Sequence, residues 1–198
     1  MQVITADIVH STGLAEEQRT ALRQLLAQEA KGSEGRYEYF IRGDSFQILL
    51  EKNALRETLM LKNLFFFKLE IRCRASLGIG SIGQIAENLS NSNGEAFVLS
   101  GKGLDQMKNK AQLLSLHSAD EKINAEWNVH CRTLDYIERG QTKNQAEAMY
   151  WLLKGKNQTE IARLIGIEQS SVNRRIQSSG WSLTESILAR YNETINTL

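Results

Sequence analysis

Apolar residues in the first two thirds of the chain come in short runs separated by polar, glycine-rich breaks. Val3 to Val9 is a strand-like run with one acid, Asp7, inside it. After Thr12-Gly13, the positions Leu14, Leu22, Leu25 and Leu26 fit one face of a helix. Arg36 to Ile41 and Phe46 to Leu50 read as two strands. The segment Arg42-Gly43-Asp44-Ser45 between them is a tight hairpin, with glycine supplying a positive φ. A helix is predicted over Ala54–Lys68, and then a strand over Ile71–Ile79 that alternates at first through Arg72 and Arg74. After a Gly/Ser/Asn-rich loop come a helix over Ala96–Asn109 and a strand over Gln112–Leu116. The order β-α-β-β-α-β-α-β predicts an α+β sandwich with helices on one face of a largely antiparallel sheet.

The pattern then turns wholly helical. A connecting helix is expected around 118–138, followed by three short helices between 141 and 180. Ala146 to Lys154 carries an apolar face and stops at Gly155. The next helix starts at Asn157, with Glu160 three positions on, a capping-box pairing, and ends at Gly166. The third covers about Gln169 to Gln177, with Val172 and Ile176 four apart. Ala162 is small enough for two helices to cross closely, and Gly166 can take the left-handed conformation of a tight interhelical turn. A final helix has Leu183, Ile187, Tyr191 and Ile195 at four-residue spacing, a stripe for self-association or for packing on its own module with Trp181.

Charge sharpens this division. The whole chain of 198 residues has a formal net charge of only +1. Residues 139–180 nevertheless hold seven Lys/Arg against three acids, the electrostatic footprint of a nucleic-acid contact. The outward positions Gln169, Ser170, Asn173, Arg174, Arg175 and Gln177 are of base-reading or phosphate-binding type, and Lys154 and Lys156 add phosphate-binding charge. Cys73 and Cys131 stand far apart and belong to no zinc pattern, which suits a reducing compartment. Leu59 to Leu69 is too short and too charged to span a membrane, and no leader precedes Val3. A cytoplasmic protein is expected.

Two resemblances follow from particular residues. Gln158 to Ile176 resembles the helix-turn-helix of the phage Cro and repressor families, which implies that Gln169, Ser170, Asn173 and Arg174 read bases in double-stranded DNA. Glu168 departs from the Ser or Thr that many relatives carry there. In the first 117 residues, Ala6-Asp7-Ile8-Val9-His10-Ser11-Thr12, Gly43-Asp44, Leu77-Gly78-Ile79-Gly80 and Gly94-Glu95-Ala96-Phe97 resemble marks of the palm-like class III nucleotide cyclases and GGDEF domains. That resemblance implies Asp7 and Asp44 as ligands of Mg²⁺ or Mn²⁺ held with a nucleotide, and the carbonyl of Ile8 as a third. The purine-selecting lysine would fall on Phe40, the transition-state asparagine near Val98 and the following arginine near Lys102, which speaks against chemistry. The combination resembles the bacterial SatD family.

The expected organisation is a cyclase-like, palm- or ferredoxin-like domain over 1–117, a connecting helix over 118–140, and an all-α helix-turn-helix domain over 141–198. The expected function is transcription regulation by a homodimer whose first domain dimerises or senses a nucleotide or metal. The alternative is an active nucleotide cyclase or nucleotidyltransferase governed by its helix-turn-helix. Weaker signals carry less. Gly78-Ile79-Gly80-Ser81-Ile82-Gly83 fits a dinucleotide fingerprint, but no long crossover helix or second parallel strand follows at the right distance. His10 reads as a solvated loop histidine, and Glu126 and His130 as surface residues four apart on a helix.

Overall fold

The computed structural model describes residues 1–39, 43–108 and 110–197. Five strands are β1 (Gln2–Ile8), β2 (Arg36–Tyr39), β3 (Ser45–Leu50), β4 (Cys73–Ile79) and β5 (Leu114–His117). Between them lie α1 (Glu16–Gly32), α2 (Ala54–Leu69) and α3 (Glu95–Met107). After β5 come α4 (Glu121–Gly140), α5 (Lys143–Leu153), α6 (Gln158–Ile165), α7 (Gln169–Gln177) and α8 (Trp181–Ile195). The element order is the expected one, with ends shifted by a few residues. Phe40, Ile41 and Arg42 in the hairpin, and Asn109 at the expected end of α3, lie outside the described residues.

The strands form one mixed sheet in the order β2-β3-β1-β4-β5. All neighbours are antiparallel except β4 and β5, which run parallel because α3 makes the crossover between them. Central β1 is buried along its whole length. Its even positions, Ile4, Ala6 and Ile8, join Phe46, Ile48, Leu77 and the apolar side of α2 in the main core. Its odd positions face α3: Val3 packs with Ala96 and Phe97, and Thr5 Oγ1 lies 2.8 Å from Ser100 Oγ.

Helices therefore cover both faces of the sheet, not one. The physical reason lies in β4. Gly78 is directly opposite Val3, and a Cβ there would stand 2.1 Å from the carbonyl oxygen of Ala96 and 2.7 Å from the amide of Ser100. The glycine of the apparent fingerprint is thus a seat for α3. The α2 face is mainly apolar, with Gln2 at its edge accepting from the Ala54 amide, while the α3 face carries Thr5, Asp7, Gln47, Ser76 and Ser115. The cleft that holds Asp7 lies on the second.

α4 runs from β5 toward the C-terminal helices and adds Trp127, Cys131 and Leu134 to the main core. Tyr150 and Leu153 of α5, and Ile187, Leu188 and Tyr191 of α8, belong to the same buried cluster. Polar contacts cross the same boundary. Tyr191 Oη donates to Gln2 Oε1 at 2.9 Å, and Tyr150 Oη to Glu29 Oε1 at 2.7 Å. A smaller cluster of Ala148, Ile161, Ala162, Val172 and Ile176 holds α5, α6 and α7 together. Among the described residues, no helix is long and apolar enough to cross a membrane.

Candidate functional site

α6 and α7 are joined by a turn at Gly166, whose φ of 69° lies in the left-handed region. Its amide donates to Ala162 and that of Ile167 to Ala162 as well, closing the end of α6. The start of α6 is closed reciprocally. Asn157 Oδ1 accepts from the Glu160 amide at 3.0 Å, and the Asn157 amide donates to Glu160 Oε2 at 2.8 Å. Glu160 has its carboxyl held below the usual range, first by that backbone donor and then by Lys156. Val172 and Ile176 turn inward, so the outward residues of α7 are fixed by helical geometry.

Gln169, Ser170, Asn173, Arg174 and Gln177 are exposed along one continuous face. Two amides of that face are steadied from behind. Gln158 Oε1 accepts from Gln169 Nε2 at 3.1 Å, and Gln158 Nε2 donates to Asn173 Oδ1 at 3.4 Å. Among the described residues Arg174 reaches only Ser171 Oγ, at 3.2 Å, on its own helix. Arg175 is turned sideways to Glu147 of α5, at 3.2 Å, and braces α7 against α5. Glu168 starts α7 with an extended backbone and no side-chain cap bond.

The two lysines differ. Lys156 is half exposed and pairs with Glu160 one turn away on the surface, at 3.2 Å. Lys154 points the other way and pairs with the buried carboxylate of Glu29 on α1. Lys154, expected to bind phosphate, thus stands in an ion pair between α5 and α1. Nothing in the sequence around Lys154 signals this, because Glu29 is 125 positions earlier and its burial depends on Tyr150.

Asp7 and Asp44 come together at one end of the sheet. The Ile8 amide donates to the Asp44 carbonyl at 3.0 Å, and both side chains line a cleft of about 300 Å³ beneath α3. Ser45, Ser90, Asp105 and Lys108 share that cleft, whereas Val98 and Lys102 do not line it. Each carboxylate already has one partner. Arg74 Nε donates to Asp7 Oδ1 at 2.8 Å, and Ser11 Oγ to Asp44 Oδ2 at 2.6 Å. Burial pushes the Asp7 carboxyl upward against the pull of Arg74, and the Asp44 charge adds to the rise. Among the described residues no three His, Cys, Asp or Glu side chains cluster as a metal cage.

Arg74 and Lys108 were missed in the sequence. Arg74 was visible as one of two alternating arginines, but only the β1–β4 register places it opposite Asp7. His10 takes a left-handed conformation (φ 58°) before the short turn at Ser11. Glu126 and His130 lie 3.6 Å apart on the surface, where Arg190 also holds Glu126. Of the stripe on α8, Ile187 and Tyr191 are buried in the chain's own core, so that face is not free for a partner.

No protein-family model matches this chain. No curated protein matches it either. Among solved structures, it is similar to the active GGEEF domain of a diguanylate cyclase from Vibrio cholerae, at 13% identity and a TM-score of 0.38, over 60% of this chain and 82% of that one.

Proposed function

We propose that this protein is a DNA-binding regulator that reads double-stranded DNA with α7. One observation carries the reading: α7 presents an unbroken polar face, braced by α5 and α6, with its amides oriented by Gln158 and its arginine uncommitted to any acid. A helix of this kind fits the major groove, where amide and guanidinium side chains match the edges of adenine and guanine. One such module buries too little surface for tight specific binding, so a homodimer on a two-fold site is part of the proposal. With Ile187 and Tyr191 of α8 buried in the chain's own core, the pairing surface is expected in another part of the chain.

Selection from a random duplex pool, followed by titration on the selected site and a scrambled one, tests the reading. Arg174→Ala is expected to weaken specific binding by about 1–3 kcal/mol and relax one base position. Lys156→Ala should weaken both duplexes alike and reduce the salt slope by about one unit. Recovery of no sequence, or unchanged affinity in both variants, overturns it. A monomer by light scattering, both free and on a palindromic duplex, would remove the homodimer.

The cleft supports a second role, nucleotide sensing. Two carboxylates, each with one oxygen that has no partner among the described residues, suit Mg²⁺ or Mn²⁺ only when phosphate oxygens complete the shell. Calorimetry should therefore show Mn²⁺ binding together with a nucleoside triphosphate, lost in Asp44→Asn, and little binding of Mn²⁺ alone. Pyrophosphate or a cyclic nucleotide appearing in that mixture would favour the active-cyclase reading over sensing.

A further inference from the structure

A second cavity, of about 270 Å³, opens beyond the edge strand β5, between the end of α3 and the outer turns of α4. Among the described residues it shares no lining residue with the Asp7–Asp44 cleft. Ser115 and His117 of β5 form its floor, Gln106 and Asn128 its sides, and Lys110 and Arg132 its rim.

Three features of this cavity bear on what it could hold. Ser115 is only 6% exposed, yet among the described residues its hydroxyl has no hydrogen-bond partner, and neither does the Nε2 of His117, which is buried beneath Gly103. Buried polar groups are ordinarily satisfied, so orphans that face a cavity mark places where a ligand atom completes the set. The wall charge is one-sided. Lys110 and Arg132 are exposed, have no ion-pair partner among the described residues, and face no carboxylate in the cavity lining. Lastly, α3 has a glycine where it meets the floor. A Cβ at Gly103 would stand 2.2 Å from Ser76 Oγ and 2.3 Å from the His117 ring.

We propose that this cavity binds a small phosphate monoester, no larger than a sugar phosphate, with Lys110 and Arg132 on the phosphate and the Ser115 hydroxyl on one of its oxygens or a neighbouring hydroxyl. Two cations match the charge of a phosphate dianion, and guanidinium geometry suits its paired oxygens. The volume lies at the low end of ligand pockets, roughly 300–1,000 Å³, which limits the body attached to the phosphate. Burial, with Lys110 second, depresses the His117 pKa. The site stands apart from α7, and this proposal does not depend on DNA binding.

Calorimetry of the full chain with ribose 5-phosphate, against ribose as the neutral control, tests it. Saturable binding of ribose 5-phosphate is expected, with none for ribose. Arg132→Ala and Lys110→Ala should each weaken it at least about tenfold, with Arg132→Lys recovering part of the loss. Both side chains are exposed, so circular dichroism should remain that of the native protein. Arg174→Ala should leave the binding intact, which separates it from nonspecific attraction to the basic face of α7. Absence of heat with ribose 5-phosphate, equal binding of ribose, or retained affinity in Arg132→Ala would each overturn the assignment.

Discussion

Single side chains in this protein act through partners far away in the chain. Lys154 lies in the most basic segment, yet its ammonium belongs to Glu29, which also accepts from Tyr150. Lys154→Ala should leave DNA affinity nearly unchanged and cost about 1–3 kcal/mol of stability, since it leaves a buried carboxylate oxygen unmatched. Urea denaturation beside a DNA titration separates the two effects. Asp135 offers a pH test. Burial raises its pKa from 3.8 to about 6, against the opposing pull of Lys62 and of the Leu113 amide. A carboxyl whose folded pKa is raised binds more protons folded than unfolded between those two values. Its contribution therefore falls as pH rises from about 4 to about 6, and stays lost above that. Asp135→Asn keeps an oxygen for the Leu113 amide, so its stability relative to wild type should improve over that window. A difference independent of pH between 4 and 7 would show that Asp135 does not titrate as described.

At the scale of elements, turns and close approaches set the geometry more than propensity does. Gly166 has open space around its Cα, so a side chain there would meet no clash and only the left-handed backbone would be strained. Gly166→Ala should cost about 1–2 kcal/mol, and Gly166→Asn less, because asparagine tolerates that conformation. Thermal unfolding of the two variants checks the order, and equal stability of both would mean the turn relaxes. The same glycine sets the crossing of α6 and α7, so DNA affinity should fall with stability in the alanine variant. α3 shows the other case, where Gly78 admits a helix backbone onto the sheet and so creates the polar face on which both cavities lie.

The whole molecule is tied across the boundary that composition suggests near residue 140. Tyr150, Leu153, Ile187, Leu188 and Tyr191 are buried in the same cluster as the sheet and α2, and Arg56 donates to the Leu153 carbonyl. Equilibrium unfolding followed by far-ultraviolet circular dichroism and by tryptophan fluorescence should give one coincident transition. Trp127 reports the junction of α4 and α8, where its ring packs edge-on to Tyr191 at 5.3 Å. Two separated transitions would mean that the shared core contributes little to cooperativity.

Periodicity, caps and turn glycines in the sequence determined the order and type of the elements. The α6–turn–α7 unit was legible down to its outward residues, because Asn157, Glu160, Ala162, Gly166, Val172 and Ile176 act on neighbours only a few positions away. Asp7 and Asp44 were legible as acids in odd places, through their local context alone. The tertiary structure decided everything that joins distant positions. Strand register set Arg74 against Asp7, burial of both β1 faces placed α3 opposite α2, and Glu29 claimed Lys154. It also buried Ile187 and Tyr191 of the α8 stripe and brought Ser115, His117, Lys110 and Arg132 around one cavity. Local signals arise from bonds spanning three or four residues and can be read along the chain. Pairing across long separations depends on which surfaces meet when the core closes, and that is fixed only by the packed whole.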